Sequence, residues 1–248
     1  MGKSFTKTNM LTDAPFHYCP GCTHGIIHRL VGEVLEELGA ADKSVVVAPV
    51  GCAVLAYNYF NCDGIEAAHG RAPAVATGIK RVHPDSVVFT YQGDGDLASI
   101  GMAETVHVAA RNENVTTIFV NNAIYGMTGG QMAPTTLPGQ VTTTSPYGRT
   151  GTNESGPIMI CEMLSTIEGP AYIARVSVHD PKHIIQAKKA IKTAFECQLN
   201  GEGYSLVEIL STCPSNWKLS PLDSIDWLKE NMLPNFPLGV YKARKEEK

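Results

Sequence analysis

The stretch Ser86-Val87-Val88-Phe89-Thr90-Tyr91-Gln92-Gly93-Asp94-Gly95-Asp96 decides the fold of this chain. Its first six residues are mostly apolar, β-branched or aromatic, which predicts a buried strand, and the glycines after them predict a reversal of chain direction. Apolar residues then recur at helical spacing from Leu97 to Arg111, and the run from Val115 to Val120 predicts a second strand. Strand, turn, helix and strand in this order indicate two parallel, neighbouring strands. We therefore expect an α/β fold in which helices flank a mostly parallel sheet.

An acidic residue and two asparagines follow these two strands. Asp94 lies in the glycine turn after the first strand, and Asn121-Asn122 follows the second. Open α/β sheets bind ligands at the carboxyl ends of their strands, so Asp94 and Asn122 should face one crevice. Carboxylate and amide oxygens suit Mg²⁺, whose coordination is usually completed by water and phosphate oxygens. The residues alone leave two interpretations, a magnesium–diphosphate site or only a tight turn.

The spacing of these residues resembles that of a known family. Gly-Asp-Gly, twenty-five residues from Asp96 to Val120 and then Asn-Asn look like the thiamine diphosphate signature. The longer runs Tyr91–Asp96 and Asn121–Gln131 are similar to the β subunit of 2-oxoacid:ferredoxin oxidoreductases, and the similarity extends over nearly the whole chain. The resemblance implies the thiamine diphosphate-binding (pyrophosphate-type) fold.

The resemblance also implies roles for particular residues. Mg²⁺ would be held by Asp94, Asn122 and the main-chain carbonyl of Ile124. The residues placed against thiamine diphosphate are Gly51, Cys52, Ala53, His69, Gly70, Gly93, Gly95, Asp96, Gly126 and Met127. From the residues alone, His69 could equally be a histidine satisfied within the core.

A Cys-x-x-Cys turn precedes a predicted helix near the start of the chain. Cys19-Pro20-Gly21-Cys22 is followed by apolar positions at helical spacing from Ile26 to Leu38, with Gly39 as the stop. At a helix amino terminus the macrodipole stabilises thiolates. The pattern alone is compatible with a redox dithiol, half of a zinc site or part of an iron–sulfur site.

Two further cysteines, Cys52 and Cys213, follow predicted strands at 45–49 and 204–210. Four thiolates can form a Cys₄ site, and the spacing fits zinc and a 4Fe–4S cluster equally well. The family resemblance implies the 4Fe–4S cluster, with Cys19, Cys22, Cys52 and Cys213 as its ligands. The remaining cysteines are expected to be small buried hydrophobes or surface thiols; they are Cys62, Cys161 and Cys197.

The function implied by the resemblance is coenzyme A-dependent oxidative decarboxylation of a 2-oxoacid, with one-electron transfer to ferredoxin. The expected partners are the α subunit, with γ or fused αγ chains, and a ferredoxin-like δ subunit or free ferredoxin. In the family, the acidic residue that activates the cofactor comes from the α subunit, so this chain should be inactive alone.

The substrate is predicted from the apolar segment Ala53-Val54-Leu55-Ala56-Tyr57, which contains no lysine or arginine to pair with a second carboxylate. This favours a branched-chain 2-oxoacid over 2-oxoglutarate, which stays the alternative substrate. Two other classes also stay open. One is a non-oxidative thiamine diphosphate lyase or synthase subunit, and the other is a structural or electron-transfer module without thiamine diphosphate.

Composition limits the class of protein. The chain has 248 residues, 44% of them hydrophobic, and a formal net charge of -4. It is long enough to form a sizeable core, and we expect a single domain over residues 1–248, with an amino-terminal CxxC arm and a carboxy-terminal tail. The charge argues against nucleic acid and anionic membranes as partners. Seven cysteines, an odd number, argue against a secreted disulfide framework, so a cytoplasmic protein is expected.

Three segments without periodicity are also assigned. Residues 1–15 are expected to be an arm over a partner, and residues 241–248 a charged tail. Residues 132–151 are predicted to be a long loop that orders against the α subunit, with a solvated linker as the alternative for its distal half.

Overall fold

The computed structural model describes residues 6–150 and 156–243. Seven strands form one sheet in the order β2-β1-β3-β4-β6-β5-β7. The first six pair in parallel, and β7 runs antiparallel to β5. The predicted α/β class with a mostly parallel, helix-flanked sheet is therefore confirmed. The strands are β1 (Ser44–Ala48), β2 (Asp63–Glu66), β3 (Val87–Gly93), β4 (Thr116–Asn121), β5 (Tyr172–Ser177), β6 (Ser205–Leu210) and β7 (Gly239–Lys242).

Helices cover both faces of the sheet. They are α1 (His24–Glu37), α2 (Ala56–Tyr59), α3 (Ala72–Val82), α4 (Met102–Ala110), α5 (Ile160–Ser165), α6 (Pro181–Leu199), α7 (Pro214–Trp217), α8 (Pro221–Trp227) and α9 (Leu233–Asn235). Short π-helical segments precede α4 and α9, at Asp96–Ile100 and Leu228–Met232, and a 3₁₀ turn, Ala41–Lys43, precedes β1. No helix among the described residues is both long and apolar enough to cross a membrane.

Alternate side chains of the central strands build two cores. Phe89 and Tyr91 of β3 join one apolar cluster with α1 and α6, whereas Val88 joins the other with α3, α4 and α5. Because both faces are covered, β3 and β4 are buried along almost their whole length. This burial explains the continuous apolar runs that predicted them.

The observed elements differ from the predicted ones at their ends. The strands predicted at 45–49, 86–91, 115–120 and 204–210 are present as β1, β3, β4 and β6 with shifts of one or two residues, whereas no sequence pattern predicted β2 or β7. The single helix expected from Leu97 divides into a π-helical segment and α4. The predicted tail is wrong at its start, because Tyr241 and Lys242 belong to β7, which pairs with β5. Residues 244–248 lie outside the described residues.

Two segments expected to be irregular are packed on this chain. Met10 is buried in the core beside α1, and the backbone of Leu11 bridges to Phe60. In the loop after β4, Thr135 and Thr136 are fully buried, and the buried Arg149 donates to the carbonyls of Pro134, Thr136 and Gly156. A solvated linker is therefore the wrong interpretation for its described part, residues 132–150.

Candidate active site

Four neighbouring strands carry the predicted functional residues at one edge of the sheet. β1, β3, β4 and β6 are adjacent and parallel. Cys52, Asp94, Asn122 and Cys213 follow these strands in that order. In the register of β3 and β4, Gly93 lies opposite Val120, so Asp94 leaves β3 beside the Asn121-Asn122 pair. The predicted parallel pairing that brings them together is confirmed.

Asp94 is a buried carboxylate surrounded by neutral donors. The Thr135 hydroxyl donates to its Oδ2 at 2.6 Å, the Ile124 amide donates to the same oxygen at 3.1 Å, and the Gly95 amide donates to Oδ1 at 2.8 Å. Burial raises its pKa to about 6, and these hydrogen bonds lower it only in part. A buried anion held by neutral dipoles alone is suited to a cation that would complete its charge balance.

Asn122 and Ile124 flank a residue in the left-handed conformation. Ala123 has φ of 58°, which is uncommon for a residue with a side chain. The turn allows the Ile124 amide to contact both Asp94 Oδ2 and, at 3.3 Å, Asn122 Oδ1. The Thr136 hydroxyl donates to the Ala123 carbonyl and fixes the turn from the loop side.

An open cleft of about 580 Å³ lies at this edge. Twelve of the thirteen residues predicted to hold cofactor or Mg²⁺ line it, and Gly70 does not. A Cβ added at Gly51 or Gly93 would meet no atom within 4 Å, so both glycines border free space. The cleft thus has room for a ligand beside the two oxygen donors, and the residues present fit a magnesium diphosphate. That these residues bind it stays a prediction.

Asp96 and His69 form a pair within the cleft wall. Asp96 Oδ1 lies 2.6 Å from both His69 Nδ1 and the Gly70 amide, and its Oδ2 accepts from Gln92 at 2.7 Å. Both carboxylate oxygens are therefore engaged within the protein. Asp96 orients His69 towards the cleft and fixes Gly70 behind it, which explains why Gly70 is not part of the lining.

The CxxC turn is attached to the end of β6. The Thr23 hydroxyl lies 2.7 Å from that of Ser211, and the Thr212 hydroxyl donates to the Gly21 carbonyl at 2.7 Å. Gly21 has φ of 79° and packs directly against Pro221, where a Cβ would stand 2.5 Å from the proline. These contacts hold Cys19 and Cys22 close to Cys213, and the helix predicted after them begins at His24.

The four predicted cluster cysteines are close enough to affect one another. Burial first, and then the neighbouring thiols, raise the pKa of Cys22 and of Cys52 to about 12. The sulfurs of Cys52 and Cys213 both border Gly126, and Asn216 donates to Cys213 Sγ at 3.2 Å and to the Gly126 carbonyl at 2.8 Å. Cys52 thus lines the cleft, and the other three thiols lie near it in the described chain.

The spacing of these sulfurs is wider than that of a compact metal trio. Among the described residues, three potential ligand atoms lie within 4.8 Å of one another only at His179, Asp180 and His183. That trio is explained by helix capping, since Asp180 caps α6 and accepts from the His183 amide. In tetrahedral zinc sites, Zn–S bonds of about 2.3 Å place sulfurs roughly 3.8 Å apart. In the described part of the chain, no three of the four cysteine sulfurs lie within 4.8 Å of one another, so the thiols do not already form a compact tetrahedral set.

The other three cysteines differ from one another. Cys197 is buried in the apolar core, and Cys62 is partly buried with a pKa raised to about 12 by burial. Cys161 is buried against a carboxylate, with its thiol donating to Glu208 Oε2 at 3.0 Å. Cys161 is thus more than the small hydrophobe that the sequence indicated.

Three residues at the site were missed by sequence reasoning. His24 lines the cleft, Thr135 holds Asp94, and Asn216 links Cys213 to Gly126. His24 directly follows the CxxC-Thr run and could have been noticed there. Thr135 and Asn216 lie in segments without periodicity, and only the folded chain brings them to the strand ends.

Comparison with known proteins agrees with this geometry. Residues 49–209 match the family model of the thiamine pyrophosphate enzyme C-terminal TPP-binding domain. The chain is 52% identical to the ketoisovalerate oxidoreductase subunit VorA of Methanothermobacter thermautotrophicus, over 93% of this chain and 48% of that protein. It is 37% identical to the 2-oxoglutarate synthase subunit KorB of Archaeoglobus fulgidus, over 92% of this chain and 79% of that protein. This chain therefore spans about half the length of VorA.

A solved structure gives the same class. The 2-oxoglutarate:ferredoxin oxidoreductase from Magnetococcus marinus, with 2-oxoglutarate, coenzyme A and succinyl-CoA bound, superposes with a TM-score of 0.82 at 27% identity, over 99% of this chain and 87% of that chain. The sheet and its ligand edge define a thiamine pyrophosphate-binding fold. The chain belongs to the 2-oxoacid:ferredoxin oxidoreductase family, as a subunit of the VorA and KorB type. The family and fold expected from the sequence are confirmed.

Proposed function

We propose that this chain is the thiamine diphosphate-binding β subunit of an oxidoreductase that converts a 2-oxoacid and coenzyme A to acyl-CoA and CO₂. Electrons would leave singly through a 4Fe–4S cluster to ferredoxin. The observation that carries the proposal is the arrangement of Cys52, Asp94, Asn122 and Cys213 at the ends of four adjacent strands. Oxygen donors and sulfur donors thereby share one edge of one sheet.

The proposed cofactor site uses this chain's own groups in simple roles. Asp94, Asn122 and the Ile124 carbonyl would hold Mg²⁺, and the Thr135 hydroxyl would keep Asp94 in place. Thiamine diphosphate, when bound, supplies the carbanion that attacks the substrate carbonyl. The exposed side of the cleft, at Met127, leaves room for a partner chain to exclude water.

The proposed cluster ligands are Cys19, Cys22, Cys52 and Cys213. Four thiols suit either zinc or a 4Fe–4S cluster, and the similarity to a 2-oxoglutarate:ferredoxin oxidoreductase supports the cluster. Because partial burial keeps the pKa values of the Cys22 and Cys52 thiols well above neutral pH in the metal-free chain, cluster binding would release their protons.

The favoured substrate is a branched-chain 2-oxoacid. The described lining of the cleft contains no lysine or arginine, so this chain offers no cation to a second carboxylate. Ala53 is the one residue of the apolar segment 53–57 that lines the cleft, and Ala56 packs in the core. The similarity to a ketoisovalerate oxidoreductase subunit supports the same choice. 2-Oxoglutarate stays the second candidate because KorB and the Magnetococcus marinus enzyme are also similar.

The proposal is tested by purifying the chain with its partner subunits under anoxia and assaying ferredoxin-type dye reduction. A panel of 2-oxoacids with coenzyme A should give the highest kcat/KM for 3-methyl-2-oxobutanoate, and iron analysis should find about four iron atoms in this subunit. Asp94→Ala should lose thiamine diphosphate and activity but keep iron, whereas Cys213→Ser should lose iron first.

Three outcomes would contradict parts of the proposal. Iron absent from the anoxic preparation, with thiamine diphosphate present, would favour a non-oxidative lyase or synthase. Full activity of Asp94→Ala would favour an electron-transfer or structural module. No turnover of any 2-oxoacid by the complete complex would overturn the proposed activity.

A further inference from the structure

A buried polar network lies beneath the turn that presents Asn122. Asn121, the last residue of β4, is fully buried. Its Nδ2 donates to Glu208 Oε1 at 2.7 Å, and its Oδ1 accepts from the Ala123 amide at 3.1 Å. The second hydrogen bond stabilises the left-handed conformation of Ala123. Asn121 is therefore attached both to the sheet interior and to the turn.

Glu208 connects Asn121 to the next strands. It lies on β6, opposite Phe119 of β4 and Arg175 of β5, and is fully buried. Its second oxygen, Oε2, accepts from Arg175 Nε at 2.8 Å and from the Cys161 thiol at 3.0 Å. Both carboxylate oxygens are engaged, so Glu208 has one preferred orientation.

Arg175, on the neighbouring strand β5, completes the network. Its side chain is fully buried, and its guanidinium makes a bidentate pair with Glu162, at 2.8 and 2.6 Å. It also donates to the Tyr241 hydroxyl at 2.6 Å and to the Pro237 carbonyl at 3.2 Å. The network thus reaches β7, at the opposite end of the described sheet from β2.

The energetics of this polar network indicate that it fixes the positions of its side chains more than it adds stability. Buried ion pairs often add little net stability compared with apolar side chains of the same volume, because both charges lose their hydration. A fully bonded polar network does, however, fix one arrangement of every group in it. Outer groups of this kind orient the direct ligands of a metal, and their loss typically weakens metal binding 10–100-fold.

We propose that Asn121, Glu208 and Arg175 are positioning residues for the metal ligands Asn122 and Ile124. Arg175 orients the Glu208 carboxylate, Glu208 orients the Asn121 amide, and Asn121 holds the Ala123 turn that directs the two ligands towards Asp94. The inference rests on the proposed function, in which these ligands hold Mg²⁺ and a diphosphate. It adds that strand β7 contributes to cofactor affinity through Arg175, without touching the cleft.

The test is the Mg²⁺-dependent affinity for thiamine diphosphate of the assembled, cofactor-depleted complex, measured by calorimetry under anoxia. Glu208→Gln has nearly the same volume, but its amide cannot accept from Asn121, Arg175 and Cys161 together. The expected result is a dissociation constant about tenfold higher, towards the lower end of the outer-ligand range. Asn121→Ala, which removes the hydrogen bond to Glu208 and the one from the Ala123 amide, is the second variant and should show a similar or larger loss.

Gln198→Leu is the matched control for lost stability. Gln198 is equally buried, on α6, and its amide bonds to the Val88 backbone and the Thr116 hydroxyl at the amino ends of β3 and β4. This variant should unfold more easily and keep its cofactor affinity. If it loses as much affinity as Glu208→Gln, the network is only structural and the inference is overturned.

The remaining outcomes separate the two proposals. A wild-type complex that does not bind thiamine diphosphate overturns the proposed function and the inference with it. A wild-type complex that binds, with Glu208→Gln and Asn121→Ala each within twofold of it, overturns the inference alone. If Glu208→Gln does not fold, Asn121→Ala decides by the same criterion.

Discussion

The donors around Asp94 show how a single loop residue can hold a predicted metal ligand in place. Thr135 comes from a loop without periodicity, yet its hydroxyl makes the shortest hydrogen bond to the Asp94 carboxylate. Hydrogen bonds to charged groups contribute about 1.5–3 kcal/mol, more than neutral ones. Thr135 therefore affects the site as strongly as a residue at the strand ends.

We expect Thr135→Val to weaken Mg²⁺-dependent binding of thiamine diphosphate roughly 10–100-fold, because valine keeps the shape and loses the donor. Thr135→Ser keeps the hydroxyl and should restore most of the affinity. The measurement is a Mg²⁺ titration at saturating thiamine diphosphate. Equal affinities for the valine and wild-type proteins would show that Asp94 needs no support from the loop.

His24 is a buried, neutral imidazole beside the CxxC turn. Burial first, and His17 second, lower its pKa to about 3, and its Nδ1 lies 2.8 Å from the Tyr91 hydroxyl. The unfolded chain takes up this proton near the ordinary pKa of about 6.5, and the folded chain does so only near 3. The free energy of unfolding should therefore fall as pH decreases through this window, by about 1.4 kcal/mol per pH unit for one group.

His24→Phe, which keeps the stacking on Tyr18, should reduce this acid sensitivity in the metal-free chain. Urea unfolding at several pH values between 4 and 6.5, a range of roughly two units inside the linkage window, provides the measurement. An unchanged slope for His24→Phe would mean that other groups cause the acid destabilisation.

Among the elements, the buried central strands could be predicted and the edges could not. β3 and β4 are covered on both faces, so their sequences are continuously apolar and the glycine and asparagine motifs mark their ends. β2, by contrast, is exposed at all four residues, Asp63 to Glu66. An edge strand of this kind forms through pairing with β1 and leaves no hydrophobic pattern in the sequence.

The difference between strand positions and loop positions also explains which residues of the site could be predicted. Asp94, Asn122 and the four cysteines stand next to strands or in a short motif, so their meeting follows from the topology of a parallel sheet. Thr135 and Asn216 reach the site through loops, whose paths depend on tertiary contacts. The network of Asn121, Glu208 and Arg175 could not be predicted for another reason: single polar or charged residues at strand positions carry no periodic signal that shows which of them bond to one another.

The junction before α3 is a tight crossing of two backbones. Gly70 has φ of 75°, and a Cβ there would stand 2.6 Å from the Gly101 nitrogen. Gly70→Ala should cost at least about 1–3 kcal/mol of unfolding free energy for the backbone conformation alone. It should also displace His69 from Asp96, because the amide of residue 70 shares that carboxylate.

The matched control lies in the helix that follows. Gly78 is exposed within α3, and a Cβ there would meet nothing within 4 Å. Gly78→Ala should therefore stabilise the chain by about 0.5–1 kcal/mol. Urea unfolding of both variants gives the comparison. A Gly70→Ala protein as stable as wild type would show that the crossing has room to relax.

On the scale of the whole molecule, the loop after β4 carries exposed apolar side chains. Tyr147 is 95% exposed and Val141 60% exposed. Both belong to the loop whose inner side holds Asp94 through Thr135. We propose that this outer face contacts the α subunit, while the inner face is already ordered on this chain.

Tyr147→Glu should accordingly weaken assembly with the partner subunits by tenfold or more, about 1.4 kcal/mol, and leave unfolding of the isolated chain unchanged. Val82 is 73% exposed at the end of α3, just before β3 begins, and so lies at the sheet edge opposite the cleft. Val82→Glu is therefore the control. Equal assembly of the Tyr147→Glu and Val82→Glu chains in analytical ultracentrifugation would exclude the loop face as the contact.

Gly126 separates the oxygen donors from the sulfur donors. The position of its missing Cβ is 3.0 Å from Cys52 Sγ, 3.6 Å from Asn122 Nδ2 and 3.7 Å from Cys213 Sγ. Gly126 therefore lies directly between Asn122 and the sulfurs of Cys52 and Cys213. A methyl group at residue 126 would force Cys52 Sγ to move, because that sulfur is only 3.0 Å from the added atom. It would thereby increase the separation between the sulfurs and the Asn122 amide. Gly126 thus determines how closely the sulfurs of Cys52 and Cys213 can approach the Asn122 side chain.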